Sequence, residues 1–426
     1  MKYALTNAKI ITGLLEDEII IGKNIIIDDG KIIAIDDDLA HLVGIKVIDL
    51  EGMYLLPGLI NLHVHLPGSG MPKDTKKQSK ESVNRLMSNV ITKYVVYKLC
   101  ENYAKAELMS GVTTIRTVGG LNDIDSKIRD SVKANKVLAP RIITSNMAIS
   151  VPGGHMAGVL AYEAESEADG VKYVDKIAKT KPDLIKLMIT GGVLDATKVG
   201  EPGVLKMKPE IVKACVDEAH KLGYKVAAHV ESPEGVKVAL ENGVDTIEHG
   251  AEITDHEIEL FKKNNSSHVL TISPVIPLSM FDLSISKGNE MTRANAKIVF
   301  DGMVSCAKKC LENNILVGLG TDTACPFVTH YDMYRELIYY TKYVGVSNKF
   351  AIHTATAINA QIAGIIDETG TVEVGKMADF MIVDNNPIED LKNLSSPKMV
   401  IFNGKMINNP KIKKYDYVEE ELNKFI

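Results

Sequence analysis

The feature that most constrains this chain is an alternation. From residue 59 to about 343, short apolar runs take turns with segments of helical period. The runs fall at 59–65, 112–118, 141–145, 184–189, 226–230, 246–249, 268–274 and 316–322, with amphipathic segments such as 82–110, 165–179, 209–222 and 294–313 between them. An apolar run flanked by helices is the sequence pattern of a strand buried on both faces of a parallel sheet. Eight such units in succession predict an α/β fold, a (β/α)8 TIM barrel. A doubly wound open sheet is the alternative that the same units allow.

The flanks differ in character. Residues 1–56 hold short β runs (2–10, 18–27, 31–35, 46–49) separated by turns such as Asp28-Asp29-Gly30. After a further helix at 347–358, β runs return at 378–383, 398–402 and 405–407, with an Asn403-Gly404 turn between the last two. The simplest arrangement joins both ends into one small β-sandwich domain, 1–56 plus 365–426, beside a barrel of 57–364. The tail, 412–426, reads as a terminal helix.

Bulk properties exclude several classes. A net charge of −6 over 426 residues carries no nucleic-acid or anionic-membrane footprint. No run of about 18 apolar residues predicts a membrane span. The start, Met1-Lys2-Tyr3-Ala4-Leu5-Thr6, reads as a strand and not as a signal peptide. The five cysteines are odd in number and scattered, as expected of reduced thiols in the cytoplasm. Cys306 and Cys310, four apart on a helix, read as two buried small side chains in preference to half a metal site.

In a (β/α)8 barrel, side chains at the C-terminal strand ends line the active-site mouth. Read there, the chain places His63 and His65 on strand one, Lys186 on strand four, His229 on five, His249 on six and Asp322 on eight. His63 and His65 are two apart in an extended run, so both imidazoles face one point. Alone they are either two ligands of one metal or a polar pair at a strand end; four further candidates at the same mouth decide for metal, and the donor types suit zinc. A lone ammonium at Lys186 is costly to bury, which lowers its pKa and makes the neutral amine accessible. That amine can take up carbon dioxide as a carbamate that bridges two cations. The strand pattern equally allows a buried ion pair or a lysine that snorkels to the mouth.

Other residues reach the same rim. His155, after Pro152-Gly153-Gly154, either donates to a substrate oxygen or is an exposed loop histidine. Gly191 and Gly192 let the backbone approach a ligand closely. His330 and Tyr331 are further substrate-side candidates. Glu231 shares a face with His229 and either orients it or lies on the surface. His41, His220, His256, His268 and His353 fall away from strand ends and are read as structural.

At this point the motifs resemble the amidohydrolase superfamily of metal-dependent hydrolases over nearly the whole chain. Pro57-Gly58-Leu59-Ile60-Asn61-Leu62-His63-Val64-His65 is similar to its strand-one signature, with Asn61 where the family usually has aspartate. Val226-Ala227-Ala228-His229, Thr246-Ile247-Glu248-His249-Gly250 and Thr321-Asp322 resemble its later ligand motifs. The segment 375–383 and the Asn403-Gly404-Lys405 turn resemble its closing β segment. Lys186-Leu187-Met188-Ile189-Thr190-Gly191-Gly192-Val193 and the stretch 216–223 point to the imidazolonepropionase-like and prolidase-like branch, which includes Xaa-Pro dipeptidases.

The resemblance implies more than the spacing does. It implies two divalent metal ions, His63, His65 and Asp322 on one and His229 and His249 on the other, bridged by N6-carboxylysine at Lys186 and a hydroxide. It implies hydrolysis of the C–N bond of a dipeptide or N-acyl amino acid, with Asp322 as proton shuttle and His155 at the oxyanion or substrate carboxylate. A small-molecule substrate, no nucleic-acid or membrane partner, and a homo-oligomer are the corresponding expectations. A mononuclear deaminase or cyclic-amide hydrolase is the main alternative. A silent scaffold fits less well, because no ligand is missing.

Overall fold

The computed structural model describes residues 2–72 and 80–426. Two sheets are built from the chain ends. In the first, Tyr3–Thr6 lies between Asn24–Asp28 and Lys46–Asp49, and Lys31–Asp36 forms the edge. In the second, Phe380–Val383 lies between Met399–Phe402 and Tyr54–Pro57, with Lys405–Asn408 and Lys9–Ile10 outermost. The second sheet thus joins strands from both termini. The sheets share one apolar core that includes Tyr3, Leu5, Ile25, Ile27, Leu55, Phe380 and Ile401. The expected Asn403-Gly404 hairpin is present, both residues having positive φ (49° and 71°), as a two-residue turn of this hand requires.

The middle of the chain forms parallel strands linked by helices. Leu59–Val64, Val112–Thr117 and Arg141–Thr144 pair in order. Ala148–Ser150, Leu184–Met188, Lys225–Val230, Thr246–His249, Ser267–Leu270 and Val317–Leu319 continue the series. The arrangement is consistent with a TIM barrel whose third strand is broken. Its first half pairs backward, and its second half pairs forward with Leu184–Met188. At the break, Asn146 takes a left-handed conformation, φ 55°. An additional short strand, Ala161–Glu163, pairs with Ala148–Ser150 and was not legible in the apolar pattern.

First and eighth strands meet without a ladder between them. Side-chain amides bridge the seam instead. Asn359 donates to the carbonyls of Ile60 (2.6 Å) and Leu319 (2.9 Å) and accepts from Leu319 N–H (2.9 Å). Asn61 accepts from Thr321 N–H (3.0 Å) and donates to its hydroxyl (2.8 Å). Asn61 is therefore a fastener of the first strand to the eighth. The strands approach so closely at Gly320 that a Cβ there would lie 2.4 Å from that of His63.

The helices depart from expectation in two places. The segment read as one helix over 82–110 is two, Lys80–Ser88 and Val90–Met109, because Asn89 caps the second by accepting from Ile91 N–H at 2.8 Å. The tail helix is limited to Asp416–Leu422. Among the described residues, no helix is long and apolar enough to cross a membrane.

Candidate metal centre

Parallel register brings the strand-end residues together. Met188 pairs with His229, and Val230 with His249. The imidazoles of His63 and His249 lie 4.8 Å apart between ring centres, and those of His229 and His249 lie 4.6 Å apart. Asp322 Oδ1 stands 3.4 Å from His63 Nε2 and 3.2 Å from His65 Nε2. His249 (φ 65°) and Asp322 (φ 55°) both adopt the left-handed conformation where their strands end. Such strain persists only where the surroundings enforce it, and here it falls on two of the converging residues.

Three of the imidazoles are aimed by a partner behind them. His63 Nδ1 lies 2.8 Å from Glu248 Oε2, and His65 Nδ1 2.9 Å from the Gly119 carbonyl. His249 Nδ1 meets the Thr271 hydroxyl at 2.7 Å. Glu248 is itself gripped by Arg116 at 2.7 and 2.8 Å and by the Thr246 hydroxyl at 2.7 Å. Arg116 also donates to the Leu62 carbonyl at 2.7 Å. Because Nδ1–H is the donor to a carboxylate and to a carbonyl, the Nε2 atoms of His63 and His65 carry lone pairs. Those lone pairs face the Asp322 carboxylate, an arrangement that a cation between them reconciles.

The ionisation states agree. Burial, helped by the nearby Lys186 charge, holds His63 well below the ordinary imidazole range. Burial likewise lowers His229, and brings His249 to about 3. These are neutral donors near pH 7. Burial opposes the charge on Asp322, but positive charge on its His63–His65 side outweighs burial and holds the carboxyl below its ordinary range; with both Nε2 atoms unprotonated, that charge is one a bound cation would supply. Lys186 is 1% exposed, and its Nζ has no hydrogen-bond partner among the described residues. Desolvation lowers that amine to about 8. An orphaned buried amine among lone pairs fits the carbamate bridge, which would replace an isolated cation with an anion among cations.

At the rim, His155 stacks on His229 with ring centres 4.2 Å apart and planes 2° from parallel. Its Nδ1 lies 2.6 Å from Asp195 Oδ2. Gly192 donates to the same oxygen at 3.1 Å, and a Cβ on it would come 3.1 Å from His155 Nδ1. The carbonyl of Gly191 faces His229 Nε2 at 3.3 Å. Both glycines therefore shape the ligands' surroundings. Glu231 accepts from Val193 N–H at 2.9 Å, and burial pushes its carboxyl up to about 8. One of its oxygens joins ligand atoms of His229 and His249 in a group within 4.8 Å, so it belongs to the centre and not to the surface.

His330 and Tyr331 do not join this group. His330 is 2% exposed, with Nε2 donating to the Gly68 carbonyl at 2.7 Å and Nδ1 3.4 Å from Glu107. The Tyr331 hydroxyl accepts from Tyr415 N–H at 2.9 Å. Their polar atoms are engaged between loop and tail. A separate buried group, His268, Cys306 and Cys310, lies behind the centre, where His268 Nε2 donates to the His249 carbonyl at 2.6 Å.

Sequence reasoning passed over Arg116, Glu248 and Asp195. The first two had a signal: opposite charges inside otherwise apolar barrel strands, neither of which can stand buried alone. Asp195 had none, since only the loop's return path brings it to His155.

Comparison with known proteins bears on the fold and the family. The sequence profile of the Amidohydrolase family matches residues 54–407. A solved structure from Bifidobacterium longum, described as a candidate prolidase, is 33% identical, with a TM-score of 0.87 over 99% of this chain and 98% of that one. A Xaa-Pro dipeptidase with methionine bound in its active site is 28% identical, with a TM-score of 0.82 over 96% of this chain and 100% of that one. Ochratoxinase of Aspergillus niger is 25% identical over 393 residues, covering 84% of this chain and 76% of that protein.

Proposed function

This chain belongs to the amidohydrolase family, in its prolidase-like branch, and as a hydrolase of that kind we propose that it cleaves the amide bond of a dipeptide or an N-acyl amino acid. The observation that carries the reading is the orphaned Lys186 amine ringed by neutral imidazoles and the Asp322 carboxylate. That donor set suits two divalent ions of the zinc type. His63, His65 and Asp322 would hold one, His229 and His249 the other, with a Lys186 carbamate between. When bound, such ions acidify a water and polarise the scissile carbonyl.

The chain's own groups supply the rest. Asp322 is ionised and lies beside the paired imidazoles, so it can receive the proton of the attacking water and pass it to the leaving nitrogen. His155 has Nδ1 fixed on Asp195, which leaves Nε2 to meet a substrate oxygen. Glu231 and the Gly191-Gly192 turn hold that rim in place. We read the terminal sheets as one β-sandwich domain, 1–56 plus 365–426, against a barrel of 57–364. Five unpaired cysteines, four of them buried, favour the cytoplasm.

A library of dipeptides and N-acyl amino acids, assayed with metal-loaded protein, tests the substrate class. On any substrate found, Asp322→Asn should lower turnover by about 10²–10⁴ while much of the metal stays bound. Near-normal turnover would remove Asp322 from the proton path. Elemental analysis separates the rival mononuclear deaminase, which needs one ion per chain and not two.

A further inference from the structure

Behind the candidate centre lies a second set of ligand atoms, made from one strand and one helix. His268 stands on Ser267–Leu270, and Cys306 and Cys310 stand on Glu290–Glu312. A ring nitrogen and the two Sγ atoms lie within 4.8 Å of one another, and all three residues are 0% exposed. The thiols are four residues apart, one turn along a single helix face, and the imidazole reaches them from the neighbouring strand. Spacing pairs the two cysteines, but only the fold adds the histidine.

Apolar packing does not account for this group. Two buried thiols can serve as small hydrophobes, but an imidazole cannot. His268 Nε2 lies 2.6 Å from the His249 carbonyl and therefore carries the ring proton. Nδ1 is left with a lone pair, and it has no hydrogen-bond partner among the described residues. A buried nitrogen of that kind is uncommon in a native core and points to a partner that is not protein. A disulfide does not fit either. Cβ atoms four residues apart on a helix are about 5–6 Å apart, against roughly 3.5–4.5 Å across a disulfide. The backbone presses on the group from a third side: a Cβ on Gly250 would come 2.7 Å from His268 Nε2 and 3.2 Å from Cys306 Sγ. That leaves space for an ion and not for an organic ligand.

The donors select the ion. Two sulfurs and an imidazole nitrogen favour zinc(II) or copper(I) over hard cations. A ligating histidine commonly donates its other ring N–H to a carbonyl, and His268 already does so. We propose that His268, Cys306 and Cys310 form a separate structural metal site, which takes one thiophilic cation, zinc(II) or copper(I), through His268 Nδ1 and the two sulfurs. Binding releases the two thiol protons to solvent. The ion braces the strand end behind the candidate centre, since His268 links it to the carbonyl of His249, where the backbone turns left-handed (φ 65°).

The full chain, stripped by chelator under reducing conditions, tests this by titration with cobalt(II) as the spectroscopic stand-in for zinc and, under argon, with copper(I). Cobalt(II) should give a thiolate-to-metal charge-transfer band that saturates at one ion per chain and is lost in Cys306→Ala/Cys310→Ala. Cys325, whose Sγ lies 3.6 Å from Asp322 Oδ2, is the thiol nearest the mouth, so the band should survive in Cys325→Ala. Elemental analysis should find one ion fewer in the metal-loaded double variant than in the wild type, whatever number the mouth holds. That difference is independent of the mouth, so its failure leaves the proposed hydrolase centre untouched. Competition between the zinc and copper arms identifies the resident ion. Circular dichroism checks that the double variant is folded, and Cys310→Ser, a one-atom change, should give the same loss if it is not. Equal ion counts in wild type and variants, or a band that disappears with Cys325, overturns the proposal.

Discussion

Two buried residues that touch no substrate decide how His63 can act. Glu248 accepts a hydrogen bond from His63 Nδ1–H, and Arg116 neutralises Glu248. Removing the carboxylate charge should do two separable things. Glu248→Gln leaves the Arg116 guanidinium buried without a counter-charge, which should cost about 3–5 kcal/mol in chemical denaturation of the metal-free protein. It should also weaken metal binding about 10–100-fold in chelator competition, because His63 loses its orienting partner. Adding Arg116→Met should restore stability but not affinity. Lys186 gives the pH prediction. Its amine is lowered from 10.5 to about 8, so the ammonium form is penalised in the folded protein, and the neutral amine gains as pH rises toward and past 8. At equal dissolved carbon dioxide, metal-free protein supplied with zinc should therefore regain activity roughly 25-fold faster at pH 8.5 than at 6.5, the ratio of the neutral-amine fractions, whereas Lys186→Met should show no carbon dioxide dependence. The ligands were legible because a strand end repeats every two residues and a polar residue there stands out against apolar neighbours. Arg116 and Glu248 were camouflaged, since each looks like an isolated exception until the other is placed beside it.

Among the elements, the seam between first and eighth strands departs most from an ordinary ladder. Asn359, from a helix far along the chain, supplies three of the hydrogen bonds across it. Asn359→Leu keeps the branched shape and removes all three, leaving the carbonyls of Ile60 and Leu319 and one N–H without that partner. The expected loss is about 2–4 kcal/mol, read from the denaturation midpoint. Metal affinity should fall with it, because Asp322 N–H bonds to the His63 carbonyl across the same seam. If affinity is unchanged, the seam supports the fold but not the centre. Element types were readable from period, and boundaries were not. The split at Asn89 follows from a cap that an uninterrupted helical pattern hides. The broken third strand follows from Asn146, whose left-handed conformation has no counterpart in hydropathy.

At the scale of the whole molecule, the barrel order and the joining of both ends in one sheet follow from the sequence's change of character near residues 57 and 365. The exposure of Leu86, Val90, Ile91, Tyr94, Val95 and Leu99 on the hairpin of Lys80–Ser88 and Val90–Met109 was not legible for a physical reason: an exposed apolar face and a buried one have the same periodicity, and only the packed neighbours tell them apart. The sheet that joins both ends also bears on how the chain is made. Tyr54–Pro57 leaves the ribosome early, yet its neighbour Phe380–Val383 follows more than 300 residues later. At roughly 5–20 residues per second, that strand edge waits tens of seconds for its partner. During translation it is an open template for wrong pairing. The nascent chain therefore has to keep that sheet unfinished while the intervening strands and helices are made, and the arrival of Phe380–Val383 is what closes it.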